Sequence, residues 1–156
     1  MVVGGEEVAV SSAIASSEPG TFTPPAVEAE VALSGNTKRV PLSELCLARS
    51  GDKGDTCNVG VIARSPAIYL WMRDHLTADF VKARFEGVCK GAVDRFEVPN
   101  LLALNFLLHE SLGGGGTLSL LMDAQGKTYS QFLLATEVEI DEAYLCLLYT
   151  SDAADE

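Results

Sequence analysis

Residues 49–66 read RSGDKGDTCNVGVIARSP, and the pattern changes twice along this stretch. Residues 49–58 are polar and contain two glycines, which is typical of a loop. Residues 59–63 are rich in β-branched side chains and predict a strand. Ser65 and Pro66 then supply a cap and a first-turn proline for a helix. The stretch therefore predicts a loop, a strand and a helix in succession.

The segments that follow continue this alternation of strand and helix. Apolar residues recur at helical spacing over 66–87, and a second cap at Thr77 predicts one broken helix or two. Residues 101–108 are nearly all apolar, and their period does not decide between helix and strand. The other predicted elements are strands at 92–98, 117–122 and 137–140 and a short helix after Thr128.

The predicted order from residue 59 is β-α-β-connector-β-α-β. This is the ferredoxin-like β-α-β-β-α-β order, in which an α+β domain has an antiparallel sheet with helices on one face.

Length and composition favour one packed domain. The chain has 156 residues, of which 47% are hydrophobic and 21% charged, so a core can form. The net charge of −11 argues against nucleic acid or an anionic membrane as a partner. No apolar run is long enough to span a bilayer, and no secretory leader is recognisable, which favours a cytoplasmic protein.

Most of the acidity lies at the two ends of the chain. Residues 1–31 hold five acids and no base, and residues 146–156 hold three acids and no base. Residues 32–145 carry 11 basic and 14 acidic side chains, so the predicted domain is close to neutral. An anionic ligand therefore stays compatible with the domain itself.

Composition divides the chain into three parts. Residues 1–36 are rich in Ala, Ser, Glu, Pro and Gly and predict a flexible linker, which suggests that another unit stands upstream in a longer gene. Residues 37–145 form the predicted domain. Residues 146–156 match the in-frame translation of a transposon-type sequencing adapter, as in a metagenomic fragment, and are excluded from the fold.

Residues 49–58 are the first candidate site. Their glycines allow backbone N–H groups to converge on an anion, to which Arg49 and Lys53 add positive charge. A loop whose bases pair with its own Asp52 and Asp55 is the alternative. The spacing is not that of a nucleotide-binding P-loop, because a strand follows where a helix should begin.

The four consecutive glycines at 113–116 are the second candidate. Their entropic cost suggests a close approach to a ligand or to another loop, and the alternative is a flexible connector. Both segments precede predicted strands, so we expect them to share one anion-binding surface. The candidate ligand-binding residues are Arg49, Ser50, Gly51, Asp52, Lys53, Gly54, Asp55, Asn58, Asn105, Gly113, Gly114, Gly115 and Gly116.

The sequence identifies no catalytic residue, cofactor or metal site. His109 is interpreted as a hydrogen-bonded structural residue, and His75 as a surface residue. The four cysteines have no metal-ligand spacing and predict reduced thiols, with Cys57 buried rather than nucleophilic.

Three motifs resemble those of the AtuA-like ferredoxin-fold domain. They are the stretch at 49–66, VPNLLALNFLL at 98–108 and LGGGGT at 112–117, and the resemblance covers residues 40–141. That domain ends the acyclic terpene utilisation proteins and also occurs alone. The resemblance implies a link to bacterial breakdown of citronellol- and geraniol-type terpenes, whose later steps use coenzyme A thioesters. The larger N-terminal domain of that family is absent here.

Three functions are compatible with these observations. The first is an accessory or C-terminal domain that binds an anionic, acyl-CoA-like molecule or a partner protein such as an AtuA-type N-terminal domain or subunit. The second is part of an enzyme of terpene or acyl-thioester catabolism. The third is a structural module that forms a homo-oligomer.

Overall fold

A four-stranded antiparallel sheet forms the centre of the fold, in the order β4-β5-β7-β6. A computed structural model describes residues 2–3, 6–7, 23 and 26–152 of the chain. The strands are β1 (Val2–Val3), β2 (Glu6–Glu7), β3 (Thr37–Pro41), β4 (Cys46–Lys53), β5 (Thr56–Ala63), β6 (Val93–Val98), β7 (Ala103–Leu108) and β8 (Glu137–Asp141). The helices are α1 (Leu42–Leu45), α2 (Pro66–His75), α3 (Ala78–Arg84), α4 (Tyr129–Leu134) and α5 (Glu142–Asp152).

The helices cover one face of this sheet, as the α+β prediction requires. Cys57, Val59 and Val61 of β5 are buried on that face. The alternate residues Asn58 and Ile62 are not buried, because they point to the other face. The buried side chains pack against α2, α3 and α4, which contact β5, β6 and β4 respectively. None of the helices in the described residues is long and apolar enough to cross a bilayer.

The helical region after β5 divides into two capped helices. The Ser65 hydroxyl accepts a hydrogen bond from the Ile68 N–H at 3.2 Å and begins α2. The Thr77 hydroxyl accepts one from the Phe80 N–H at 3.1 Å and begins α3. Each cap satisfies a donor that the first helical turn leaves unpaired, so the two-helix alternative is the one that forms.

The β-α-β-β-α-β order is present, but the strand predicted at 117–122 is wrong. Residues 103–108, which their period left undecided, form β7 and pair with both β5 and β6. Residues 117–122 form turns instead, because Gly113, Gly114 and Gly115 have positive φ and curl the chain. The N–H groups of Leu118 and Ser119 both bond to the Gly115 carbonyl.

The predicted polar loop at 49–58 is also wrong, because this segment is a β-hairpin. β4 continues to Lys53, β5 begins at Thr56, and only Gly54 and Asp55 form the turn. Gly54 has φ of 68°, as a tight hairpin turn requires. Polar side chains are accommodated on these strands because none of the described helices lies over one face of the sheet.

β3 and β8 form a separate antiparallel ribbon that closes the core. Asp141 at its end accepts hydrogen bonds from the N–H groups of Ala143, Ser34 and Gly35. These bonds, led by that of Ala143, lower the pKa of Asp141 to about 2. Residues 34–36 of the predicted linker are therefore hydrogen-bonded to the domain. Most of residues 1–25 lie outside the described residues, so the flexible linker at 1–36 stays a prediction.

α5 includes part of the segment that the sequence analysis left out of the fold. It continues to Asp152, with Leu145 buried and Leu148 partly buried against the core. A helix in this segment does not show which DNA encoded it, so the adapter origin of residues 146–156 stays a prediction. Residues 153–156 lie outside the described part of the chain.

The packing of Leu148 predicts a measurable contribution to stability. We expect Leu148→Ala to lower the free energy of unfolding by about 1–2 kcal/mol, less than a fully buried leucine, because part of the side chain is exposed. Leu147→Ala at the 40% exposed neighbour is the control and should cost less than about 0.5 kcal/mol. Urea denaturation of the full chain measures both values. Equal losses would contradict this packing.

Candidate functional site

The face of the sheet opposite the helices carries the candidate site, and we call it the open face. Residues paired in an antiparallel sheet point to the same side, so the register assigns its members. They are Leu47, Arg49, Gly51, Lys53, Thr56, Asn58, Gly60, Ile62, Asp94, Phe96, Val98, Ala103, Asn105 and Leu107, with His109 just beyond β7.

One half of the open face is an apolar cleft. Its volume is about 580 Å³, and its lining is almost entirely apolar. Leu47, Ile62 and Leu101 contribute large side chains that are 56%, 47% and 61% exposed. A contiguous exposed apolar surface of this kind is typical of binding sites for ligands or partners.

Polar groups border this cleft at its boundary with the other half of the face. Arg49, Gly60 and Asn105 lie in one cross-strand row and also line the cleft. The Asn58 amide donates a hydrogen bond to the Asn105 Oδ1 at 2.6 Å. This bond orients the Asn105 amide so that its two N–H groups stay available, since no described protein group accepts from them. Gly60 has no side chain, which keeps the space between Arg49 and Asn105 clear.

The predicted site residues fall into three groups in the structure. Arg49, Gly51, Lys53, Asn58 and Asn105 share the open face. The second group, Ser50 and Asp52, points to the helix side. The third group, Gly54, Asp55 and Gly113 to Gly116, forms the hairpin turn and the loop against it.

The second group is occupied by structural contacts. The Ser50 hydroxyl donates to the Gly126 carbonyl at 2.6 Å and accepts from the Ser130 N–H at 2.9 Å, which joins β4 to α4. Asp52 lies 3.8 Å from the Lys127 ammonium, and both side chains are partly exposed. That ammonium lies over Gly51, 3.1 Å from where a Cβ would be. Lys127 therefore adds a positive charge near β4 that the sequence analysis did not select.

The hairpin turn and the glycine loop lie in direct contact. The Asp55 carboxylate accepts hydrogen bonds from the N–H groups of Gly114 at 2.8 Å and Leu112 at 3.2 Å. A Cβ on Gly115 would collide with the Gly54 carbonyl oxygen, so only glycine fits there. The convergent amides of this loop thus already bind a carboxylate of the same chain. Binding of an external anion at this loop stays a prediction.

A hydroxyl, an imidazole and a carboxylate form a chain of hydrogen bonds across the polar half of the open face. His109 Nδ1 lies 3.2 Å from Thr56 Oγ1, and His109 Nε2 lies 2.8 Å from Asp94 Oδ2. Neither Thr56 nor Asp94 is among the candidate residues that the sequence indicated. A prediction that 92–98 and 103–108 are neighbouring antiparallel strands would have found Asp94. In that pairing Asp94 lies opposite Leu107 and therefore beside His109.

The buried thiols are poor nucleophiles. Burial raises the pKa of Cys57 to about 11 and that of Cys46 to about 12, so both are protonated at neutral pH. Cys57 packs against Gly126, whose φ is 61°. Within the described residues, no group of three or more His, Cys, Asp or Glu side chains is placed to hold a metal ion.

These features define an α+β domain with one helix-covered face and one open face that is apolar at one end and polar at the other. The family model of the AtuA ferredoxin-like domain matches residues 40–139. The chain therefore belongs to that family. No curated protein and no solved structure matches it.

The contact at Gly115 predicts a large effect of a single methyl group. We expect Gly115→Ala to lower the free energy of unfolding by about 2–4 kcal/mol, since φ is 76° and the Cβ would collide with the hairpin turn. Gly87→Ala is the matched control, because no atom lies within 4 Å of its Cβ position. It should change stability by less than about 0.5 kcal/mol. Thermal and chemical denaturation of both variants test this, and a neutral Gly115→Ala would contradict the contact.

Proposed function

We propose that this chain is an accessory domain of an acyclic terpene utilisation type protein, acting in the bacterial cytoplasm. Its open face binds a molecule with an apolar body and an anionic head, such as a terpenoid acid or its coenzyme A thioester. One observation carries this proposal, namely that the apolar cleft ends at Arg49 and Asn105.

The apolar end of the face suits a hydrocarbon. Leu47 and Ile62 are exposed on the sheet, and Leu101 is exposed in the short 3-10 turn between β6 and β7. Covering these side chains removes apolar surface from water. Each buried methylene group of a ligand contributes roughly 0.8 kcal/mol. A branched ten-carbon chain has enough such groups to offset the loss of its own freedom.

The polar border suits a carboxylate or a thioester carbonyl. Arg49 presents a guanidinium that binds a carboxylate through two hydrogen bonds, and the free N–H groups of Asn105 lie across the gap left by Gly60. Arg49 has no ion-pair partner among the described residues. Lys127, over Gly51 on the same strand, adds positive charge nearby.

Calorimetric titration with citronellic acid, a branched ten-carbon carboxylate, tests this site. We expect Arg49→Gln to weaken binding at least 10-fold through loss of the charged head contact, and Ile62→Asp to abolish it. Arg39→Gln is the matched control, because Arg39 lies on β3 and is 72% exposed beside Glu137. It should leave binding unchanged.

Two further titrations distinguish the contribution of the charged head to the affinity from that of the apolar body. The alcohol citronellol should bind wild type and Arg49→Gln equally, since it carries no charge. The coenzyme A thioester shows whether the nucleotide adds affinity. Unchanged affinity of the acid in both Arg49→Gln and Ile62→Asp would exclude the open face as its site.

A second candidate function is docking to a partner protein, and the segment 117–122 favours it. Leu118, Leu120 and Met122 are 76%, 101% and 107% exposed, so three large apolar side chains stand in water. Such exposure is unfavourable in a monomer and marks an interaction surface. We propose an AtuA-type N-terminal domain or subunit as the protein that covers this segment.

Co-expression with an AtuA-type N-terminal domain tests this second function. We expect a complex with wild type and at least 10-fold weaker binding by Leu120→Asp combined with Met122→Asp. Leu33→Asp, at a 66% exposed leucine before β3, is the control and should bind like wild type. Light scattering of the chain alone measures the homo-oligomer alternative. Equal complexes from all three proteins would exclude this segment as the interface.

A further inference from the structure

We propose that the open face also cleaves activated esters, with Thr56, His109 and Asp94 as nucleophile, general base and orienting carboxylate. This inference rests on the proposed function, because the same face must first bind the apolar part of the substrate. The substrate class is an ester or thioester of a long-chain aliphatic acid.

The hydrogen bonds fix the direction of proton transfer. An ionised carboxylate only accepts hydrogen bonds, so His109 must donate its Nε2–H to Asp94. A neutral imidazole with a proton on Nε2 has its lone pair on Nδ1, and the Thr56 hydroxyl therefore donates to that atom. This is the order of donors and acceptors by which hydroxyl, imidazole and carboxylate perform acyl transfer.

The backbone holds these three groups on adjacent strands. β7 lies between β5 and β6, so His109 just beyond it reaches Thr56 on one side and Asp94 on the other. The His109 N–H bonds to the Ala92 carbonyl at 3.0 Å, and the Gly91 N–H bonds to the His109 carbonyl at 3.0 Å. A side chain at Gly91 would lie 2.7 Å from the His109 Cβ, so the two backbones pack directly.

The site is open to a substrate and contains a positive charge. The side chains of His109 and Asp94 are 39% and 53% exposed. Lys53 lies directly opposite Thr56 in the register, where Cβ atoms are about 4.5–5.5 Å apart. Its ammonium donates a hydrogen bond to the Asp52 carbonyl at 3.1 Å. It would have to leave that carbonyl to stabilise the negative oxygen that forms when the Thr56 hydroxyl attacks a carbonyl.

The distance along the sheet selects the length of the acyl chain. Thr56 and Gly60, at the border of the cleft, are four residues apart on β5, or roughly 13 Å at 3.3 Å per residue. An extended chain of about 12 carbons covers this distance and places its end at the border of the cleft, beside Gly60. Shorter acyl groups cannot contact both Thr56 and the cleft.

The reaction proceeds in two balanced steps. Thr56 Oγ1 attacks the carbonyl carbon while His109 Nδ1 takes its proton, and the bond to the alcohol or thiol breaks as the leaving group receives that proton. Water then attacks the acyl-Thr56 ester with His109 again as the base, and the proton passes to Thr56 Oγ1 as the free acid leaves.

Hydrolysis of two substrates by the full chain tests the relay. p-Nitrophenyl dodecanoate reports phenolate release and dodecanoyl-CoA reports free thiol, which distinguishes the ester from the thioester. We expect wild type to exceed the buffer rate about 100-fold or more, and Thr56→Val and His109→Gln to fall to the buffer rate. Thr56→Ser should stay within about 10-fold of wild type. His75→Gln is the control, since that ring stacks on Trp71 of α2, and should match wild type.

Two further measurements distinguish catalysis from binding and folding. Mass spectrometry should find a dodecanoyl group on the Thr56 peptide of wild type and none in His109→Gln. Calorimetry with dodecanoate should give the same affinity for wild type and His109→Gln. Dodecanoate binding without cleavage by wild type, or full cleavage by His109→Gln, overturns the relay alone. Absence of dodecanoate binding to wild type that still binds citronellic acid also overturns the relay alone, whereas absence of binding of both acids contradicts the proposed function as well.

Discussion

β5 is hydrogen-bonded along both sides, to β4 in register Cys46↔Ala63 and to β7 in register Val59↔Phe106. A strand held in this way cannot rotate, so its alternate side chains are committed to opposite faces. Cys57, Val59 and Val61 are assigned to the core. Thr56, Asn58, Gly60 and Ile62 are assigned to the open face, and a slip by one residue would exchange the two sets.

The composition of β5 explains why one strand serves both faces. Its core side has only apolar or sulfur-containing side chains, which pack against helices whose own apolar faces need cover. Its open side passes from a hydroxyl through an amide and a glycine to an isoleucine. The change from polar to apolar along the open face is therefore encoded in eight consecutive residues.

The sequence predicted the α+β class, the two helix caps and the strand at 137–140, because each depends on local chemistry. Alternation and capping act within a few residues, and they are visible without knowledge of the neighbours. The hairpin at 49–58 was missed because polar side chains are compatible with a strand only when the sheet leaves one face open. The turns at 117–122 were missed because the preceding glycines outweigh an alternating pattern.

The candidate site shows the same limit. Arg49, Asn58 and Asn105 were selected as ligand-binding residues, and that role stays a prediction. The strand register places all three on one face of the sheet, which loop geometry could not indicate. Asp55 was selected as a ligand contact, and it proves to be the carboxylate that the Gly114 amide binds. Thr56 and Asp94 lie 38 positions apart in the chain, so their shared neighbour His109 becomes evident only once β7 lies between their strands.

Because Thr56, Gly60 and Ile62 of the open face lie on one strand, the backbone fixes the distances between them. The distances from Thr56 to Gly60 and from Gly60 to Ile62 are multiples of the rise per residue of a β-strand. Movement of a loop cannot change these distances. A pocket built from loops accommodates ligands of several lengths by changing shape. The spacing of side chains on this face is instead fixed by the backbone, and a residue inserted into β5 would turn the next side chain to the opposite face rather than lengthen that spacing.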